Sequence, residues 1–516
     1  MQGNGHNLAD CLIRHAQARP DAIALQLPRA ALSYRALDAL VWRAATRLQR
    51  SGVARGDVLA LSFEREAALL VALFALARLG ASVLSLPVHY PAQLRADMVR
   101  QAGARMLVSD SVDGGDLGLP RVCLVLATLF EAGTPIDPGV RDADPRAPWL
   151  INIGSGSTGR SKLLPVCHGP ALQRAPRVCP ATPEDRVLSL VSLDFSSTKM
   201  ATLATLMAGG TVVLGDRRMA DPVETCRAAL PTVLRCSVFH LEAMLRGMAA
   251  RAQGEPGQAV LLPSLRMLRV GGSILTESLR RRVMRLLTPN LFVAYGTNEV
   301  GIVSVADPEQ IRSTPGTVGR LLPGVELEIV DAQGAPVPPG EVGHVRLRTA
   351  GQIAGYHGDQ EATRRAFIDG GWFVPGDLGR LTPDGQLVHC GRADDLIIMN
   401  GINIHPAEIE HAMAAHPAVR DVVVLAATSR IRQQVPVCAV ALHENASVTQ
   451  AQLQEHARER LGPRAPYAVF VMDRIPRNEL GKPVRDALRR ELEPRLQARR
   501  QPAGDAADGQ PAADRS

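Results

Sequence analysis

The sequence predicts parallel α/β sheets, then an antiparallel β segment, then a smaller C-terminal segment that is again α/β. Three observations predict this. A chain of 516 residues exceeds what a single core supports, so two or more domains are expected. Strand-like and helix-like stretches alternate over most of the chain, the pattern of parallel sheets with helices on both faces. From about 315 to 392 the alternation stops, and Gly324, Gly334, Gly340, Gly343 and Gly385 punctuate short strands instead.

In order, the first run reads as strand 58–63, helix 66–79, strand 82–86, helix 92–102 ended by Gly103, and strand 105–109. A Gly/Ser-rich stretch interrupts it. The run resumes with strand 187–193, helix 198–208, strand 211–214, helix 222–230, strand 265–270, helix 276–287 and strand 291–295. Strands 326–330 and 342–347 belong to the Gly-punctuated segment and read as antiparallel, fitting a small barrel. After Gly391-Arg392 come helix 406–415 and strand 419–426. Residues 1–6 and 497–516 are rich in Gly, Ala, Asp, Pro and Gln and are expected to be disordered.

An apolar fraction of 46% with 21% charged residues places the chain among soluble globular proteins. The net charge of +7 comes largely from scattered arginine, denser over 485–500. Aromatics are only 3%, too few for the stacking platforms of single-strand binders, so no nucleic-acid partner is expected. None of the eight cysteines forms a C-x-x-C pair, which argues against a zinc or redox motif and for reduced thiols in a cytoplasmic protein. The first ten residues are polar and carry no signal core. The longest apolar stretch, 67–79, contains Arg78 and is too short to cross a bilayer, so no membrane partner is expected.

Only three lysines occur, Lys162, Lys199 and Lys482, in a chain whose other basic residues are arginine. Lysine is a compact charge on a flexible stem and arginine a planar fork, so a lysine that resists replacement marks a position needing a point charge. The alternative is that three lysines escaped drift. Lys162 closes the run Gly154-Ser155-Gly156-Ser157-Thr158-Gly159-Arg160-Ser161-Lys162. Amides freed by glycine, with Ser and Thr hydroxyls, can wrap phosphate oxygens. The spacing does not fit the usual nucleotide P-loop, and by composition alone the run could be a flexible linker.

The run resembles the phosphate loop of the adenylate-forming superfamily: acyl-CoA synthetases, peptide-synthetase adenylation domains, fatty acyl-AMP ligases and luciferases. Gly154-Ser155-Gly156 stands for the usual Thr-Ser-Gly, Ser161 for Pro and Leu163 for Gly. Further motifs follow in the family's order. Tyr295-Gly296-Thr297-Asn298-Glu299 resembles the motif whose Tyr stacks on adenine and whose Glu holds Mg²⁺. Pro375-Gly376-Asp377-Leu378 resembles the block whose Asp holds the ribose hydroxyls. Gly391-Arg392-Ala393-Asp394-Asp395 resembles the block whose Arg meets ribose or α-phosphate and whose first Asp is the hinge. Pro476-Arg477-Asn478-Glu479-Leu480-Gly481-Lys482 resembles the block carrying the adenylation lysine.

The resemblance implies a fold and an activity. The fold is an N-terminal domain, 7–393, of two parallel α/β sheets plus a small antiparallel β-barrel, a small mobile α+β lid, 394–496, and a tail, 497–516. The activity is ATP- and Mg²⁺-dependent conversion of a carboxylic acid to an acyl-adenylate, followed by transfer to a thiol. Lys482, Glu299 and Thr158 would be catalytic, with Glu299 on the metal. Ser155, Gly156, Ser157, Thr158, Gly159, Lys162, Tyr295, Gly296, Thr297, Asp377, Arg392 and Lys482 would bind nucleotide, and Asp394 would be the pivot.

Asp194 matches the Asp that pairs with the ammonium in peptide-synthetase domains, which favours an amino acid substrate; the alternative is a cap on the following helix. Phe195, Thr198, Arg235, Arg269, Gly271, Ala294, Ile302 and Val303 would complete the pocket by the same match. Two arginines there would suit a second carboxylate, unless they are background in an Arg-rich chain. No carrier segment follows Lys482, so the thiol is expected to be the phosphopantetheine of a separate carrier protein or coenzyme A. Ile398 stands where many relatives have Lys, and the surrounding text resembles carrier-loading ligases. The rival reading is a degenerate, non-catalytic homologue, motivated by the altered phosphate loop.

Overall fold

The computed structural model describes residues 7–111, 117–131, 144–154, 162–215, 221–251, 262–272, 275–399, 402–429, 433–444, 446–478 and 481–500. The expected disorder of 1–6 lies outside them, as does that of 501–516. The chain forms two compact units, the larger running up to Leu275 and from Leu279 to His389, the smaller comprising Thr276–Ser278 and the chain from Cys390 on.

The large unit holds two sheets. One runs Arg121–Cys123, Met106–Ser109, Val58–Ser62, Ser82–Ser85, Pro148–Gly154, Lys162–Cys167. Its first five strands are parallel and the last folds back antiparallel on Pro148–Gly154. The apolar run that begins at Ala67 lies in helix Glu66–Arg78, whose residues from Ala68 onward are all buried. A helix apolar on every side belongs in a core. Its one basic group, Arg78, bonds the Asp38 carboxylate of helix Tyr34–Arg50 and lies 4.0 Å from the Trp42 ring centroid.

The second sheet has 15 strands. Its parallel part runs Ile23–Leu27, Thr211–Val213, Arg186–Ser189, Val233–Cys236, Met267–Gly271, Leu291–Thr297. The strands from Gly301–Ala306 to Gln386–Arg392 are antiparallel and extend this sheet as its outer arm. The Gly-punctuated texture anticipated that change. The sequence did not reveal that Ile23–Leu27 pairs with Thr211–Val213, far along the chain.

The small unit is α+β. Strand Val419–Ser429 lies beside Gln433–Leu442, and Ala468–Met472 pairs parallel with the latter. Alternation sorts its side chains: Val422 and Val424 face one core, Val423 and Leu425 another closed by Leu488 and Leu492 of helix Arg485–Arg500. That helix continues past 497, where the tail was expected to begin. All eight cysteines are free thiols. Among the described residues no helix is long and apolar enough to cross a membrane.

Asp185 pins the start of strand Arg186–Ser189. Its Oδ1 accepts from Arg266 Nε and Thr232 Oγ1, each at 2.7 Å, and its Oδ2 from the Thr182 amide at 2.7 Å. Burial opposes its ionisation, but these donors outweigh burial and lower its pKa to about 2. A depressed carboxylate contributes stability above its unfolded pKa and loses it as pH falls through the folded one. Asp185→Asn is therefore expected to lower the unfolding midpoint at pH 7 and to flatten the stability loss between about pH 4 and 2. Denaturant titrations across that range check this; an unchanged slope there would separate Asp185 from acid unfolding.

Candidate active site

The last parallel strand, Leu291–Thr297, turns directly into antiparallel Gly301–Ala306, and the expected nucleotide residues sit at that turn. The register slips between Tyr295 and Gly296. A Cβ at Gly296 would lie 2.2 Å from the Gly301 carbonyl oxygen, so only glycine fits. The slip leaves the Tyr295 hydroxyl 2.5 Å from Asp377 Oδ2, to which it donates. His389 packs its ring 5.3 Å from that of Tyr295, and its Nε2 lies 3.7 Å from Asp377 Oδ1. An aromatic face beside a nearly buried carboxylate is the combination of flat apolar surface and placed polar group that a nucleoside uses.

Glu299 follows on the turn. Its Oε1 accepts from the Tyr356 hydroxyl at 2.9 Å, and Lys162 Nζ lies 4.5 Å from the Tyr356 ring centroid. Glu299, Tyr356 and Lys162 therefore form one chain of contacts. Thr297 Oγ1 is buried and meets no partner among the described residues. No group of three His, Cys, Asp or Glu among the described residues could hold a metal unaided. One carboxylate with phosphate oxygens is the usual Mg²⁺ environment, so Glu299 fits the ion only alongside the triphosphate. Bound there, Mg²⁺ would neutralise charge on the phosphates.

Arg174, in helix His168–Val178, holds this turn from beneath. Its Nη1 donates to the Asn298 carbonyl at 3.0 Å, its Nη2 to the Glu299 carbonyl and its Nε to the Gly351 carbonyl. The stem passes Gly301 and Gly351, where a Cβ would come within 3.2 Å of its Cγ. Burial lowers its pKa to about 10, so it stays charged at neutral pH.

Ser155, Gly156, Ser157, Thr158 and Gly159 lie outside the described residues. In the small unit, Lys482 is exposed on a turn closed by its amide on Asn478 Oδ1 at 2.9 Å and by the Asn478 amide on its carbonyl at 2.8 Å. Arg477 braces that turn, bonding Gly481 O at 2.6 Å and the Asp421 carboxylate at 2.9 and 2.6 Å. Asp394 lies in the short 3-10 turn Ala393–Asp395, with Arg392 Nη2 at 3.6 Å from its Oδ2.

Of the acid-pocket candidates, Arg235, Arg269, Gly271 and Ala294 sit on adjacent parallel strands, Gly271 at and Arg235 next to the C-terminal ends where open α/β sheets bind ligands, Arg269 and Ala294 midway along. Arg235 is register-paired with Arg269, and Gly271 with Ala294. Ile302 faces Gly296, whereas Val303 is wholly buried in the core. Asp194 does not cap the following helix. Phe195 is the N-cap residue of Ser196–Ala208 and supplies no side-chain cap, and Thr198 turns its hydroxyl to the Val191 carbonyl at 3.1 Å. Asp194 Oδ2 accepts from Ser192 Oγ at 3.0 Å. Beside it is the buried Lys199 ammonium, which donates to the Asp194 carbonyl. Burial lowers the Lys199 pKa to about 8 against the pull of Asp194.

Arg174, Tyr356, His389 and Lys199 escaped the sequence reading. Lys199 carried the same signal as Lys162 and Lys482, scarcity of its residue type. Arg174 carried none, being one arginine among many.

Fold and site together define the class: the protein is an adenylate-forming ligase that joins an acid to a thiol using ATP. It belongs to the AMP-binding enzyme family, whose pattern matches residues 12–357, with the family's C-terminal domain at 408–482. It is 30% identical to an indoleacetate–CoA ligase of Aromatoleum aromaticum, over 93% of this chain and 97% of that protein. It is 29% identical to a salicyl-AMP ligase/salicyl-S-ArCP synthetase of Mycobacterium tuberculosis, over 95% and 91%. Its fold superposes on o-succinylbenzoate-CoA synthetase of Bacillus subtilis with a TM-score of 0.79 at 26% identity, covering 93% of this chain and 97% of that one.

Arg174→Met should reduce acid-dependent pyrophosphate exchange about 100-fold by misplacing Glu299, and should raise KM for magnesium-ATP. Arg174→Lys should recover part of both. A variant that merely melts earlier, with unchanged KM for magnesium-ATP, would confine Arg174 to a role in stability.

Proposed function

We propose that the protein activates a carboxylic acid as its acyl-adenylate and passes the acyl group to the phosphopantetheine thiol of a separate carrier protein. The observation that carries the reading is the linked set Lys162, Tyr356 and Glu299 beside the Tyr295–Asp377 pair, a phosphate-facing charge next to a nucleoside-sized platform. In the first step a carboxylate oxygen of the acid bonds to the α-phosphorus and the bond to the β-phosphate breaks, releasing pyrophosphate. In the second the thiol sulfur bonds to the acyl carbon, the bond to AMP breaks, and the thiol proton leaves to solvent.

Lys482 supplies the mobile charge for the first step, and Ser155, Gly156, Ser157, Thr158 and Gly159 wrap the triphosphate. Asp377 takes the ribose hydroxyls, Arg392 approaches ribose or phosphate, and Asp394 is the pivot between half-reactions. A carrier as acceptor is supported by Ile398 in place of lysine after the hinge, and by the relative named as a salicyl-S-ArCP synthetase. Coenzyme A is the second reading, supported by the relative named as an indoleacetate–CoA ligase.

Asp194 favours an amino acid. Lys199 weighs against it, because it already gives that carboxylate a cationic neighbour, and the relatives above are named for acids without an α-ammonium. We take an acid with no ammonium on Asp194 as the first reading. Matched amino and des-amino acids in pyrophosphate exchange separate the two: a strong preference for the amino acid, lost in Asp194→Ala, would reinstate the second.

Lys482→Ala should lower exchange about 100-fold or more with the melting temperature unchanged. Exchange within a few-fold of wild type would remove Lys482 from the chemistry. No exchange with any acid in the wild type would favour a non-catalytic homologue.

A further inference from the structure

Arg235 and Arg269 are neighbours in register on adjacent parallel strands, Val233–Cys236 and Met267–Gly271, so their side chains share one face of the sheet. Arg269 is only 4% exposed. One of its nitrogens, Nη1, donates to the Val178 carbonyl at 2.9 Å, while Nε and Nη2 are buried with no acceptor among the described residues. Arg235 Nη1 donates to the Ser197 carbonyl at 2.8 Å, and its Nε is also buried without an acceptor. The Ser197 contact ties the pair to the stretch that carries Asp194 and Lys199. Both arginines therefore lie among the residues expected to surround the acid.

Among the described residues no carboxylate pairs with either of them. Asp185, the acid nearest Cys179 beside the pair, has both oxygens occupied by Arg266, Thr232 and the Thr182 amide. Asp194 lies against Lys199, and Glu66 accepts the Leu193 amide at 2.7 Å. The neighbouring thiol of Cys179 is held neutral, its pKa raised by burial. Arg269 is pushed down to about 10, first by burial and then by Arg235, and burial lowers Arg235 as well. It remains charged at neutral pH. Two adjacent cations, Arg269 buried and Arg235 partly so, with unused N–H donors match the oxygens of a carboxylate, which guanidinium forks bind bidentately. Such donors left unfilled are penalised.

We propose that Arg235 and Arg269 form an anion subsite in the acid pocket, so that the acid activated by this ligase carries a second anionic group, a carboxylate, held away from the one that is adenylated. This rests on the ligase reading above and names its substrate class. The carboxylate that reacts meets ATP, and the distal one fills the donors that the protein leaves unmet.

The test uses the full-length protein and matched probes: malonate, succinate, glutarate, adipate and the benzenedicarboxylates, each against its monomethyl ester. Acid-dependent pyrophosphate exchange should favour at least one diacid over its monoester by about 100-fold or more in kcat/KM, the discrimination expected where polar donors would be stranded. Arg269→Met should collapse that ratio towards one. If Arg269→Met fails to fold, Arg235→Met, whose side chain is only partly buried, carries the same test. Monoesters or simple monoacids turned over as well as every diacid by the wild type would overturn the second anionic group while leaving the ligase reading intact. Absence of exchange, with calorimetric binding of a diacid that is lost in Arg235→Met, would support the subsite and sink the ligase reading. Absence of both would overturn the two together.

Discussion

The buried guanidinium of Arg174 joins pieces of chain that secondary structure alone leaves unconnected. It reaches the carbonyls of Asn298, Glu299 and Gly351 from a helix more than a hundred positions earlier in the chain. Backbone carbonyls in a tight turn need donors, and a buried turn cannot take them from water. Arginine offers five donors in a fixed plane, so one side chain can serve three carbonyls at once. The position of Glu299 follows from that, as does the reach of Tyr356 to it. Gly301 and Gly351 are the complement of the same clamp, since a side chain on either would crowd the arginine stem.

The switch from parallel to antiparallel pairing at 297–301 is the second organising feature. Parallel strands lie side by side, and along them Arg235, Arg269, Gly271 and Ala294 gather. The antiparallel return from Gly301 then brings Asp377 and His389 across to Tyr295. The candidate acid-pocket residues and the Tyr295–Asp377 pair are in this way built on successive strands of one sheet. The small unit has a different task. Its sheet is covered on both faces, and Arg477 with Asp421 stiffens the turn that displays Lys482. A rigid mount suits a single charge that must be placed accurately.

Arginine-rich composition serves several ends here. Some arginines are paired at the surface, as Arg348 is with Glu326, and such pairs add little. Others are deeply buried on carbonyls or carboxylates, as Arg174 and Arg78 are. Arg235 and Arg269 also donate to carbonyls, but Arg269 keeps Nε and Nη2, and Arg235 its Nε, buried without an acceptor among the described residues.

By itself the sequence determined the alternating α/β order, the change of texture near 315, and the family, through the motifs around Tyr295, Glu299, Asp377 and Lys482. Those are local signals: short apolar runs bounded by glycine, and side chains whose chemistry is written in contiguous motifs. Tertiary structure alone decided what lies between motifs. Ile23–Leu27 joins the second sheet through a partner that no local pattern names. Tyr356 reaches Glu299 from a loop, and His389 reaches Asp377 from strand Gln386–Arg392, contacts that no local pattern names. Asp194 turned out to have Lys199 beside it rather than a helix to cap, since the chain places Phe195 at the N-cap. The pairing of Arg235 with Arg269 was visible as two letters but not as one charge cluster. Register and burial exist only once the strands lie side by side, and these decide which donors find acceptors.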